Sequence, residues 1–143
     1  MSRTEAGDVL TDVVMRTFRL YSAFMDAAEV MTKPVGLTAA WWQVLGPVLR
    51  EPLSVSGIAR EIGLARQSVQ RITDLLVDKG LAEYLPNPAH ARAKLVRPTA
   101  DGFAAVERLR EVQHEWANRV SAQVSLEDLR TTLATMTALI ANS

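Results

Sequence analysis

Residues 55–99 constrain the fold more than any other part of the chain. The stretch opens with VSGIAREIGL, turns at Gly63, and continues as ARQSVQRITDLLVDKGL. A strand-like run, LAEYLP, a loop of turn formers, NPAHARAK, and a second strand-like run, LVRPT, follow in order. In the first segment Val55, Ile58, Ala59 and Ile62 recur at helical spacing. Ser54 is placed to cap that helix, and Gly63 tolerates the left-handed turn that a helix end favours. In the second segment Val69, Ile72, Leu75 and Leu76 share one face, and Gly80 closes the helix. Helix, tight turn, helix and hairpin together predict a helix-turn-helix followed by a wing.

The other face of the second helix carries Arg66, Gln67, Ser68, Gln70 and Arg71, all in its first half. A recognition helix seated in a major groove presents that half to base edges. Arg pairs with guanine, and Gln with adenine, through two hydrogen bonds each. An ordinary solvated face would look the same, so the helix alone leaves both readings open. The loop after it adds His90, Arg92 and Lys94 as candidate DNA contacts. Pro86 and Pro88 stiffen that loop, because proline fixes its own backbone and restricts its predecessor. Narrow A·T-rich minor grooves attract arginine, so Arg92 is expected to enter the minor groove, with Lys94 supporting it from the backbone side.

The runs GLTAAWWQVL, IAREIGLARQSVQRITDLLVDKGL and NPAHARAKLVRPTADG resemble the MarR family of winged helix-turn-helix transcriptional regulators. The resemblance covers residues 37–102 by motif, and the whole chain by length and helix order. It implies a mainly α fold with a small β-hairpin wing and N- and C-terminal dimerisation helices. It also implies a dimeric, ligand- or stress-responsive DNA-binding protein. Two positions depart from the family pattern. Many members carry Asp-Arg-Arg or Asp-x-Arg at the wing tip, whereas His90-Ala91-Arg92 stands here, so the acidic residue that would orient the arginine is replaced. Many also carry Ser or Thr where Ala65 stands, which leaves the recognition helix without a side-chain cap.

On this reading residues 37–98 form the DNA-binding lobe, and residues 1–36 and 99–143 supply the dimerisation helices of a single domain. Residues 4–31 read as one long helix, ended by Lys33-Pro34-Val35-Gly36. Thr38 then caps a helix bearing Trp41, Trp42, Val44, Leu45 and Val48, where Gly46-Pro47 predicts a kink or break. Thr99 caps a helix striped by Phe103, Val106, Leu109, Val112, Trp116 and Val120. Ser125 with Asp128 resembles a capping box at the start of the last helix. The expected dimer interface is Val9, Leu10, Val13, Leu129, Leu133, Met136 and Ile140. Tyr21, Phe24, Trp41, Trp42 and Trp116 read first as core rings. Members of the family the chain resembles often bind small aromatic acids or other lipophiles between the DNA-binding lobe and the dimer helices, so these rings are also the candidate pocket.

Composition narrows the alternatives. The 143 residues carry no net charge, yet residues 50–97 hold eight basic side chains against five acidic ones. Acids outnumber bases on both sides of that stretch, so the basic excess sits on the helix-turn-helix and wing. The chain has no Cys, which excludes disulfides, thiolate metal sites and cysteine-based sensing, and its two His make a protein-only zinc site a poor expectation. No metal or other cofactor is expected. No GxSxG, phosphate-binding glycine loop or HExxH is present, so the chain does not read as an enzyme. No apolar run is long enough to span a membrane, and MSRTEAGDV lacks the apolar core of a signal peptide, so a cytoplasmic protein without membrane partners is expected. Taken with the resemblance to the MarR family, these features point to a homodimeric repressor that would bind a palindromic double-stranded operator. The resemblance further implies relief by a small aromatic or lipophilic effector. The alternative is a winged-helix protein-interaction module without DNA binding. Arg66, Gln67, Ser68, Arg71 and Arg92 favour the first reading, since a pure interaction module does not need them.

Overall fold

Hydroxyl side chains set where most of the helices begin. In the computed structural model, which describes residues 1–143, Thr4 Oγ1 accepts from Gly7 N at 3.0 Å and opens α1 (Glu5–Thr32). A single 3-10 turn, Lys33–Val35, follows and ends on Gly36. Thr38 Oγ1 accepts from Trp41 N at 3.1 Å and opens α2 (Ala39–Val48). The Glu29 carboxylate reaches across from α1 to take the neighbouring Ala39 N–H at 2.8 Å, so α2 starts with two of its free amide donors satisfied. Ser54 Oγ accepts from Gly57 N and opens α3 (Val55–Ile62), which ends at Gly63 with φ 69°. That left-handed angle costs glycine little and any L side chain more. Then come α4 (Arg66–Asp78), β2 (Ala82–Leu85), β3 (Leu95–Pro98), α5 (Ala100–Ser121) and α6 (Leu126–Ala141). Thr99 Oγ1 takes the Gly102 N–H at 3.1 Å at the head of α5, and Ser125 Oγ takes that of Asp128 at 3.0 Å at the head of α6.

The wing is a three-stranded antiparallel sheet. β2 and β3 pair with Tyr84 opposite Val96 and Glu83 opposite Arg97. The two-residue strand β1 (Leu53–Ser54) adds to the far edge of β3, giving the order β1-β3-β2. The sequence pattern predicts only the hairpin, because two residues carry no alternation to detect.

The chain divides into two compact units, Met1–Leu109 and Arg110–Ser143. The core of the first unit is a single cluster. Val44, Leu45 and Val48 of α2 meet Val55 and Ile58 of α3, Val69, Ile72 and Leu76 of α4, Val96 of β3 and Leu109 of α5. Each fully buried leucine or isoleucine stabilises the fold by roughly 1.5–3 kcal/mol relative to an exposed one. This packing fixes α4 and the wing as one body, because both feed the same cluster.

Two expectations are corrected. Of the kink or break expected at Gly46-Pro47, the break does not occur; α2 runs through Pro47 to Val48, with Leu49 N bonding back to Gly46 O. Proline here forfeits the bond its own N–H would have made to Gln43 and crowds that carbonyl, and α2 ends one residue later. Leu75 does not share the buried face of α4. It is 44% exposed, and Thr73 is buried in its place, with its hydroxyl donating to Val69 O at 2.8 Å.

The terminal helices bury little against their own chain. In α1 only Met31 and Thr32 are buried, and in α6 no residue is. Val9, Leu10, Val13, Leu129 and Met136 are all exposed, and Leu133 and Ile140 reach 68% and 75% exposure. No helix is long and apolar enough to cross a membrane.

Candidate nucleic-acid interface

Burial of Val69, Ile72, Thr73 and Leu76 turns the opposite face of α4 outward. Arg66, Gln67, Gln70 and Arg71 are exposed there, and Ser68 is half-buried. The start of α4 at Ala65 has no side-chain cap, in line with the loss of a hydroxyl at that position. The early amide donors of α4 therefore remain available to an outside acceptor, and a phosphate is a suitable one.

The wing loop folds back on itself through an Asn87 side chain that accepts from Ala89 N at 3.0 Å, and through turns closed at His90 and Ala93. His90 and Arg92 are exposed at its tip. Arg92 and Lys94 face a cleft of about 400 Å³ that they share with Arg66 and Gln70 of α4, Ser54 and Ser56 at the head of α3, and Asp74 and Tyr84. Three cations from two separate elements thus converge on one concave surface. Arg66, Arg71, Arg92 and Lys94 make no ion pair, whereas Arg97 is held across the strands by Glu83 at 2.5 Å. A second groove runs along the outer side of α4, lined by Gln67, Gln70, Arg71, Asp74, Leu75 and Asp78.

The floor between α4 and the wing holds a polar network that the sequence pattern does not reveal. The Gln70 amide nitrogen donates to Asp74 Oδ1 at 3.1 Å and to the Tyr84 hydroxyl at 3.0 Å. The Tyr84 hydroxyl in turn donates to Asp74 Oδ1. Lys94 Nζ lies 5.8 Å from the centre of the Tyr84 ring, within the range of a cation–π contact. Burial pushes the Tyr84 hydroxyl well above the usual tyrosine range, and the Asp74 carboxylate adds to the shift. Tyr84 therefore stays a proton donor across the working pH range. Asp74 follows Gln70 by one helical turn, a signal that was present in the sequence, but Tyr84 comes from a different element.

The five candidate rings have different surroundings within their own units. Trp41 and Trp42 are half-buried and pack against the core cluster. Tyr21 and Phe24 are exposed on α1, and Trp116 is half-buried in the second unit.

Comparison with known proteins bears on this surface. A family model described as MarR family matches residues 35–93, which span α2 to the wing tip. An uncharacterised protein of Mycobacterium tuberculosis (strain H37Rv) is 32% identical over 133 residues, covering 93% of each chain. The crystal structure of a MarR family transcription regulator, SP03579, superposes with a TM-score of 0.75 at 25% identity, over 92% of this chain and 88% of its own. The M. tuberculosis transcriptional regulator MOSR, crystallised in complex with DNA, superposes with a TM-score of 0.74 at 25% identity, over 90% of this chain and 96% of its own.

Proposed function

The chain belongs to the MarR family of DNA-binding transcriptional regulators, and from that premise we propose that it binds a palindromic double-stranded operator as a homodimer and acts as a repressor. The observation that carries the reading is the convergence of Arg66 from α4 with Arg92 and Lys94 from the wing on one cleft, beside exposed Gln67 and Arg71. α4 would enter the major groove, where Arg66, Gln67, Ser68, Gln70 and Arg71 face base edges. The wing would follow the adjacent backbone, with Arg92 in the minor groove and His90 and Lys94 against phosphates. Repression asks least of the chain, since a dimer seated on an operator excludes other proteins without any further contact. As a member of this family the protein is a regulator and not an enzyme.

The exposed apolar faces of α1 and α6 support the dimer. A sixteen-residue apolar helix with no fully buried residue needs a cover, and a second copy supplies one with matching symmetry. Glutamate at Leu133 would place a charge in that interface. The Leu133→Glu protein is expected to run as a monomer or an aggregate in light scattering, and a soluble dimer of normal mass would remove α6 from the interface. The effector would be a small aromatic acid or lipophile meeting some of Tyr21, Phe24, Trp41, Trp42 and Trp116. It acts only if it prefers the state that does not bind DNA.

The test begins with selection of bound sequences from random DNA, repeated with small aromatic acids present. Arg71→Ala is expected to cost roughly 1–3 kcal/mol on the selected operator and less on unrelated DNA. Equal losses on both would make Arg71 a phosphate contact. Failure of the parent to bind any DNA at low salt would favour the interaction-module alternative, and unaltered operator affinity in every aromatic acid would remove the effector.

A further inference from the structure

The outward face of α4 carries one large apolar side chain, Leu75. It is 44% exposed, whereas Val69, Ile72 and Leu76 of the same helix are buried in the core. Leu75 stands one helical turn after Arg71, and both line the groove on the outer side of α4 with Gln67, Gln70, Asp74 and Asp78. Leu75 is the one apolar residue of that lining. Its neighbours there bond to water, but Leu75 gains only when an apolar surface covers it. Charge decides which part of a duplex can do so. The two acids of the groove outnumber its one cation, Arg71, so the groove disfavours the phosphate backbone and admits an uncharged base edge. The major groove offers one apolar base feature, the C5 methyl group of thymine.

We propose that Leu75 is a specificity residue that packs against the methyl group of a thymine in the major groove. The proposal rests on the DNA-binding reading above and deepens it by naming a base that the polar residues of α4 do not select. Cytosine in the same place leaves a gap where the methyl group would be, and a purine offers Leu75 only polar atoms. Leu75 follows Arg71 by a helical rise of about 6 Å, against about 3.4 Å between successive base pairs. The thymine is therefore expected within two base pairs of the contact that Arg71 makes.

Selection from random DNA is run with the parent and Leu75→Ala. The parent is expected to demand a T·A pair that Leu75→Ala no longer demands, with the rest of the selected sequence unchanged. The parent's operator is then made with deoxyuridine in place of each thymine in turn, which removes the methyl group and keeps every hydrogen-bonding group. At the Leu75-dependent position the parent should lose about fourfold in affinity, the effect of burying one methyl group, and Leu75→Ala should lose none. Leu75 is exposed, so the variant should melt near the parent and keep its mass in light scattering. If Leu75→Ala does not fold, Leu75→Ser takes its place with the same expected result. Equal losses in parent and variant, or no thymine at which deoxyuridine weakens the parent, overturns the proposal and leaves sequence-specific binding intact. A changed mass for the variant would move Leu75 into a contact between copies of the chain and overturn the proposal as well. Selected DNA with no shared base in the parent's pool would instead overturn the base-reading premise, and the proposal with it.

Discussion

Replacing Arg66, Arg92 and Lys94 together with alanine is expected to flatten the salt dependence of DNA binding. The three side chains line one cleft, come from two elements, and make no ion pair with the protein. Each phosphate neutralised by such a cation releases condensed counterions, and the slope of log affinity against log salt changes by about 0.9 for each one. If Arg66 in the major groove and Arg92 in the minor groove displace counterions as Lys94 does from a phosphate, the slope should become shallower by roughly 2.7. Between about 50 and 200 mM salt the parent would then lose about 40-fold more affinity than the variant. All three side chains are exposed, so thermal stability should move by no more than about 0.5 kcal/mol. Arg97→Ala is the matched control, because its charge is already held by Glu83 at 2.5 Å and should contribute less to the slope. Affinity titrations on the selected operator at several salt concentrations decide the matter. A triple variant with the parent's slope would mean that DNA does not enter this cleft.

The helices were legible because their signals are local. Thr4, Thr38, Ser54 and Ser125 each bond an amide three residues on, and Gly63 takes the turn its position predicts. The period of Val69, Ile72 and Leu76 set the inward face of α4, and that alone turned Arg66, Gln67 and Arg71 outward. Leu75 was misplaced because it lies on the border of that stripe, where a residue's type says less than the packing of its neighbours. What could not be read was contact between elements. Glu29 capping α2, β1 joining β3, and Tyr84 closing on Asp74 and Gln70 each join residues at least ten positions apart. The network of Gln70, Asp74 and Tyr84 matters for function because it joins α4 to strand β2 of the wing.

Gly102→Ala is expected to cost about 3 kcal/mol of stability, the upper end of overpacking costs, and to disturb the wing as it does so. A Cβ at this position would stand 1.9 Å from the Leu81 carbonyl oxygen and 2.9 Å from its carbon. Neither atom belongs to a flexible side chain that could swing aside. The contact is also clamped. Thr99 N donates to the same Leu81 oxygen at 3.1 Å, Thr99 Oγ1 donates to Gly80 O at 2.6 Å, and Gly102 N donates to that hydroxyl at 3.1 Å. Relief of the clash must therefore break the bonds that seat the head of α5 on the turn after α4. That turn leads directly into β2 at Ala82, so any shift there carries Tyr84 and its bond to Asp74 with it. Denaturant unfolding should show a lower midpoint for Gly102→Ala, and operator affinity should fall even at temperatures where the variant is folded. If Gly102→Ala unfolds at the parent's midpoint, the close seating of α5 on Leu81 is not what fixes the base of the wing.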